Sequence, residues 1–330
     1  MPREALIVII GGLFSAFAAM AFLGGSALSL MLVYLAPIPL LLVGLGLGPR
    51  AATMTAGVGF LATGIFGGVL AAGIYGLVHA LPAWTVARLV MLQRQRENGG
   101  GNGTEPGKET GAEWYPLGPA LAALALLSGG LILLADLNAG ESGLDGMLNA
   151  HLGEAFQVML PALDEAGRER VIDTIIPFFP GVVGASWVIM TVANAAIAQG
   201  MLVRMGWNLR PSPAYAELEL PHWVSWPLGV SAAAALIGSM MGMEGLGYIG
   251  RNITMVFAIP YFFLGLAVIH TLARRVTFAS AVLVMLYLVV LMSGWAAVVV
   301  AGVGVTEQWI GLRDRSGDQD TGQTPGEDEN

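Results

Sequence analysis

The chain has 330 residues, 55% of them hydrophobic and only 12% charged, with a formal net charge of −8 and a mean hydropathy of +0.71. A soluble domain carries about 25% charged residues, so this composition excludes an ordinary water-solvated globule, and the acidic balance offers no basic face for nucleic acid. There is no cysteine, which removes disulfides, thiolate metal sites and cysteine nucleophiles.

Residues 5–24 form the first apolar run, behind Arg3. It reads as an uncleaved first helix with its N-terminus in the cytoplasm; a signal peptide is the other reading of such a run. Gly12 and Ala16, or Gly11, Ser15 and Ala19, give it a small-residue face. Residues 27–48 form a second span, interrupted by Pro37 and Pro39. Each proline frees backbone groups that neighbours must satisfy, either in a packed kink or in a broken helix lining a cavity. Residues 51–93 hold two spans. Gly64, Gly68, Ala72 and Gly76 recur at every fourth position and predict one flat helix-packing stripe. Tyr75 and His79 lie on or near it. Arg88, Arg94 and Arg96 mark a cytoplasmic end.

Residues 95–113 form a low-complexity polar linker, expected to be disordered. It separates a four-helix N-terminal membrane half, residues 1–94, from a C-terminal membrane half, residues 114–315. Residues 117–135 form the fifth span. Residues 137–176 lie outside the membrane, on the periplasmic side, with Leu144, Met147, Leu148, Leu152, Phe156 and Met159 at helical spacing. Such amphipathic helices lie on the bilayer or cap the bundle. Residues 178–203 form the sixth span and carry Trp187, Thr191, Asn194 and Gln199, with Arg204 and Arg210 marking its cytoplasmic end.

Residues 211–223 make a cytoplasmic connector, and residues 225–242 and 253–272 make two further spans. Between those spans, a glycine-broken polar turn outside the membrane carries Glu244, Arg251 and Asn252; Arg274 and Arg275 close the segment inside. The last apolar run, 277–305, begins inside and is followed by Arg313 and Arg315. A hairpin of two short helices broken at Ser293–Gly294 returns those arginines to the cytoplasm, whereas one long crossing does not. Residues 316–330 form an acidic tail, expected to be disordered. The expectation is an all-α, polytopic, glycine-rich and tightly packed bundle of about 8–10 transmembrane helices.

The chain has no phosphate-binding loop, no HExxH helix and no nucleophile elbow. His79, His151, His222 and His270 are scattered without metal-ligand spacing. Neither a metal, a cofactor nor an enzymatic activity is expected. The polar groups at membrane depth are mostly neutral, which suits a binding cavity or a structural bundle better than a proton-driven pump. The candidate substrate-binding residues are Tyr75, Asn194, Gln199, Arg251 and Asn252.

Several stretches together carry a family resemblance: PIPLLLVGLGLG, the glycine-rich 57–82 ending HALPAW, ELPHWVSW, GYIGRN with YFFLGLAVIH, and the closing GVTEQWIGLRDR. The set resembles the YybS-like family of predicted bacterial membrane proteins of unknown function, in its alphaproteobacterial branch. That family is distantly similar to the S components of energy-coupling-factor transporters. The resemblance implies a multi-pass protein of the bacterial inner membrane that binds a small molecule. It also implies a partner beyond the lipid bilayer, namely a separate ATPase and coupling-subunit module, because the chain has no motor of its own. The alternative is a structural or assembly factor of the membrane with no small-molecule ligand.

Overall fold

The computed structural model describes residues 3–24, 26–95, 112–159 and 164–313. Most of the expected linker and all of the acidic tail 316–330 lie outside the described residues, as do Arg96 and Arg315. In chain order the helices are α1 (Arg3–Met20), α2 (Ala27–Leu35), α3 (Pro37–Leu47), α4 (Pro49–Tyr75), α5 (Leu81–Val90), α6 (Leu117–Asn138), α7 (Gly143–Met159), α8 (Glu165–Ile175), α9 (Phe179–Met205), α10 (Ser225–Met241), α11 (Glu244–Ala273), α12 (Ala279–Met292) and α13 (Gly294–Ile310). Two short strands, β1 (Gln93–Gln95) and β2 (Ala112–Trp114), pair antiparallel with Arg94 opposite Glu113. They hold the two edges of the expected linker, so Gln95, Ala112 and Glu113 are part of a ribbon.

Seven helical stretches among the described residues are long and apolar enough to cross a bilayer. One of them, Pro49–Val90, is 42 residues long, about 63 Å if straight, which is twice a hydrocarbon core of about 30 Å. It is not straight. Gly68 leaves the helical region at φ 82° and ψ 176°, a conformation that glycine enters without the Cβ penalty. The chain folds back there. A Cβ built at Gly64 would stand 3.5 Å from that of Ala72, and one at Gly76 would meet the Phe60 ring at 3.2 Å. The two spans expected within 51–93 are therefore the two arms of one hairpin. The stripe of Gly64, Gly68, Ala72 and Gly76 does not run along a single straight helix. Gly64 and Ala72 face each other across the bend and Gly76 faces Phe60, because Gly68 interrupts the 3.6-residue period.

The described residues group into two compact units, the first comprising Met1–Leu124 with Trp187–Pro213, the second Ala125–Ser186 with Ala214–Asn330. In the first unit α1 is wedged by its small residues. A Cβ on Gly12 would stand 2.7 Å from the Thr55 carbonyl oxygen and from Val58, and one on Gly11 would stand 2.8 Å from Val43. Gly11, Gly12, Ser15, Ala16 and Ala19 are all buried, so α1 lies directly against α3 and α4. Large side chains such as Phe14, Ile65 and Leu70 point away from the unit, as lipid-facing residues do.

The second unit is built around α11. On one side α10 runs antiparallel to it, and a Cβ on Gly238 would stand 2.6 Å from the Cα of Gly247, while one on Gly250 would run into the Ala235 nitrogen. On the other side α13 runs antiparallel, with Gly265 against the Val300 carbonyl and Gly304 against that of Tyr261. The expected glycine-broken turn over Glu244–Asn252 is helical, because α11 already begins at Glu244. Gly247 and Gly250 form the contact face for α10, and the turn itself falls on Gly242, at φ 69°. The expected break at Ser293–Gly294 is present: Ser293 is extended at φ −140° and ψ 114°, between α12 and α13.

Candidate functional site

Two buried polar constellations stand out, one in each unit. In the first unit the chain breaks at Ala36, ahead of Pro37 and Pro39. Proline has no N–H to offer the preceding turn, so carbonyls near the break need other donors. Ser15 Oγ donates to the Ala36 oxygen at 2.7 Å, and Asn194 Nδ2 donates to the Tyr34 oxygen at 2.7 Å. Tyr75 Oη in turn donates to Ser15 Oγ at 2.9 Å. Tyr75, Ser15 and Asn194 are almost wholly buried.

Beside this chain of bonds lies His79. Residues Gly76–Ala80 form a π turn between α4 and α5, a local widening that recurs at functional sites. Trp187 Nε1 donates to the Val78 carbonyl within the turn at 2.8 Å. The His79 ring sits 5.9 Å from that of Tyr75, centroid to centroid. His79 is 4% exposed, and its Nδ1 has no hydrogen-bond partner among the described residues. A buried ring nitrogen without a partner forgoes a bond that a native core ordinarily supplies.

In the second unit, Tyr248, Arg251 and Asn252 on α11 hold the start of α9. Asn252 Oδ1 accepts from the Gly181 N–H at 2.7 Å, and its Nδ2 donates to the carbonyls of Pro177 at 3.0 Å and Tyr248 at 2.8 Å. Arg251 Nε donates to the same Pro177 oxygen at 3.1 Å, with its guanidinium 5.2 Å from the Phe178 ring centroid. Tyr248 Oη donates to the Ile176 oxygen at 3.2 Å. The first N–H groups of a helix lack intrahelical acceptors, and Asn252 supplies one from a different helix.

The five candidate binding residues therefore separate. Tyr75, Asn194 and Gln199 belong to the first unit, and Arg251 and Asn252 to the second. Gln199 lies apart from the Tyr75 chain and donates to the Arg210 carbonyl at 2.9 Å. Ser15 and the Ala36 carbonyl belong with Tyr75, and the only sequence signal for them is a lone hydroxyl in an apolar helix two dozen residues ahead of a proline pair. Two arginines that mark cytoplasmic ends in the sequence pin backbone carbonyls, Arg210 from a buried position and Arg313 from a half-buried one. Arg210 is 7% exposed and donates from Nη1 to the Val90 and Tyr115 carbonyls. Arg313 pairs with the buried Glu307 at 2.6 Å and donates to the Ala216 and Leu218 carbonyls. Among the described residues no group of His, Asp and Glu could hold a metal ion.

Comparison with known proteins bears on the class of this molecule. A family model described as "Predicted membrane protein (DUF2232)" matches residues 147–307, just under half of the chain. That stretch takes in α10, α11 and nearly all of α13. No curated protein and no solved structure matches the chain. With its seven apolar helical stretches, this is an all-α, multi-pass membrane protein.

Proposed function

We propose that this protein binds a small, largely neutral molecule within its first unit and has no motor of its own. The observation that carries the reading is His79: a buried imidazole on a π turn, with Nδ1 unpaired, next to a tyrosine already held by Ser15. A ligand with one hydrogen-bond donor or acceptor would complete that nitrogen, because imidazole can serve as either according to its tautomer. Tyr75 supplies an aromatic face beside it. Asn194 binds the Tyr34 carbonyl beside the proline break, and Gln199, Arg251 and Asn252 each donate to carbonyls of their own unit. The reading agrees with an S-component-like subunit of the bacterial inner membrane, with a cytoplasmic N-terminus, that docks on an ATPase and coupling-subunit module. It assigns no catalytic residue.

The test is purification in mild detergent followed by mass spectrometry of retained small molecules and proteins. The wild type retains a small molecule, and His79→Phe and Tyr75→Leu variants that elute as monodisperse protein lose it. Retention unchanged in both variants removes the site. Recovery of an ATPase pair with a coupling subunit supports the transporter reading.

A second reading, a structural or assembly factor without ligand, draws on a specific observation. The carbonyls of Tyr34 and Ala36, near the proline break, are satisfied from within the protein by Asn194 and Ser15, as in a packed kink. Recovery of membrane-assembly proteins with no small molecule favours it.

A further inference from the structure

A groove of about 550 Å³ runs along the outside of the first unit, between α1, α3 and the end of α9. Its wall is almost wholly apolar: Ile7, Ile10 and Phe14 from α1, Leu42 and Val43 from α3, and Leu202 from α9 are representative. The α1 residues recur at spacings of three and four, the period of one helix face. Arg3 stands one step earlier on the same face, four residues before Ile7.

The groove has one basic end. Arg50 lies two residues past Gly48, the turn that ends α3, and Arg204 directly precedes Met205 at the end of α9, on the flank of that helix and off the face that carries Leu202. Arg3, Arg50 and Arg204 are all exposed, and Glu4 offsets only one of them. Trp207, which also lines the groove, is 65% exposed. Tryptophan collects at the headgroup level of a bilayer, so it marks that end as the interface. From Arg3 to Phe14 the helix rises about 16 Å, close to the depth of one leaflet, about 15 Å.

We propose that this groove is a binding site for an anionic phospholipid, with an acyl chain along α1 and α3 and the phosphate among Arg3, Arg50 and Arg204. The almost entirely apolar wall matches a chain of methylenes better than it matches an uncharged polar ligand. The arginines match a phosphate, which guanidinium binds in a planar two-point fashion, and basic clusters beside membrane helices select anionic headgroups. A zwitterionic lipid satisfies the wall but brings a choline or amine against the arginines.

The experiment is native mass spectrometry of the full-length protein, delipidated in detergent and offered phosphatidylglycerol and phosphatidylcholine of identical chains in equal amounts. The wild type is expected to retain phosphatidylglycerol about tenfold more than phosphatidylcholine, and a triple Arg3→Gln, Arg50→Gln, Arg204→Gln variant to lose that preference while still taking up both lipids weakly. Gly46→Leu, which narrows the groove opposite Leu202, is expected to lower uptake of both. Equal retention of the two lipids by the wild type overturns the proposal without recourse to any variant. So does a phosphatidylglycerol preference that survives in the folded triple variant.

Discussion

Asn252 on α11 and Gly181 on α9 are joined by a 2.7 Å bond from the glycine N–H to the asparagine Oδ1, so one helix caps another from 71 residues away in sequence. The same side chain donates to Pro177 and Tyr248, leaving none of its polar atoms idle. Asn252→Leu removes all three bonds and strands a buried N–H. Leaving a buried polar group unsatisfied costs about 1–3 kcal/mol, and losing a helix cap costs about 1 kcal/mol. Thermal unfolding in detergent should show a clear loss of stability. Asn252→Asp, which keeps the acceptor for Gly181 but places a charge in the core and removes both donors, should be at least as damaging.

The glycine contacts of α11 predict a sharp contrast between neighbours. Gly304 lies against the Tyr261 carbonyl, whereas Gly302 has open space where a Cβ would go. Gly304→Ala forces α13 away from α11 and should cost about 1–3 kcal/mol. Gly302→Ala should be neutral or stabilising by up to about 1 kcal/mol, through helix propensity alone. Equal effects in an unfolding titration would mean that the two helices are not in backbone contact.

The hairpin at Gly68 can be read by cross-linking, because the chain has no cysteine of its own. The Cβ positions of residues 64 and 72 stand 3.5 Å apart, at the short edge of disulfide geometry. A Gly64→Cys, Ala72→Cys double variant should oxidise to an intramolecular disulfide under mild conditions. Pairing Gly64→Cys with Gly73→Cys should oxidise less readily. Gly68→Ala should reduce the yield of the first pair, since a side chain resists φ 82°.

Removing Arg313 should loosen the connector between α9 and α10. Its guanidinium holds the Ala216 and Leu218 carbonyls as well as Glu307. Arg313→Ala leaves the carboxylate of Glu307, on α13, buried without its ion-pair partner, the situation in which deleting one partner is most damaging. Limited proteolysis should then cut within residues 211–223 faster than in the wild type. Glu307→Gln should restore part of the resistance when combined with Arg313→Ala.

Much of this fold was legible because lipid imposes a simple rule on sequence: long apolar runs, broken by glycine, proline and charge. The break at Ser293–Gly294 and the two spans in 51–93 follow from run length and charge alone. The course of the chain at Gly68 did not, since a glycine every fourth residue looks the same whether it packs a straight helix or allows a bend. The sequence shows the sign of Arg210 and Arg313 but not their partners. A charge count shows which side of a membrane an arginine favours, but its carbonyl acceptors lie on residues up to 120 positions away. The same holds for Ser15, whose partners Ala36 and Tyr75 are brought to it only by packing. The candidate site residues are visible as polar groups within the membrane or at its edge, but their division between two units is not.

The contacts of α10, α11 and α13 also bear on how the second unit deforms. Where backbones meet through Gly238, Gly250, Gly265 and Gly304, no side chain lies between the helices to change rotamer and absorb a shift. These three helices are therefore expected to move as one stiff plank. By contrast α12 buries none of its residues, so displacing it breaks up no packed core. Any mechanical work within this unit would be transmitted along the plank and taken up at the Ser293 joint.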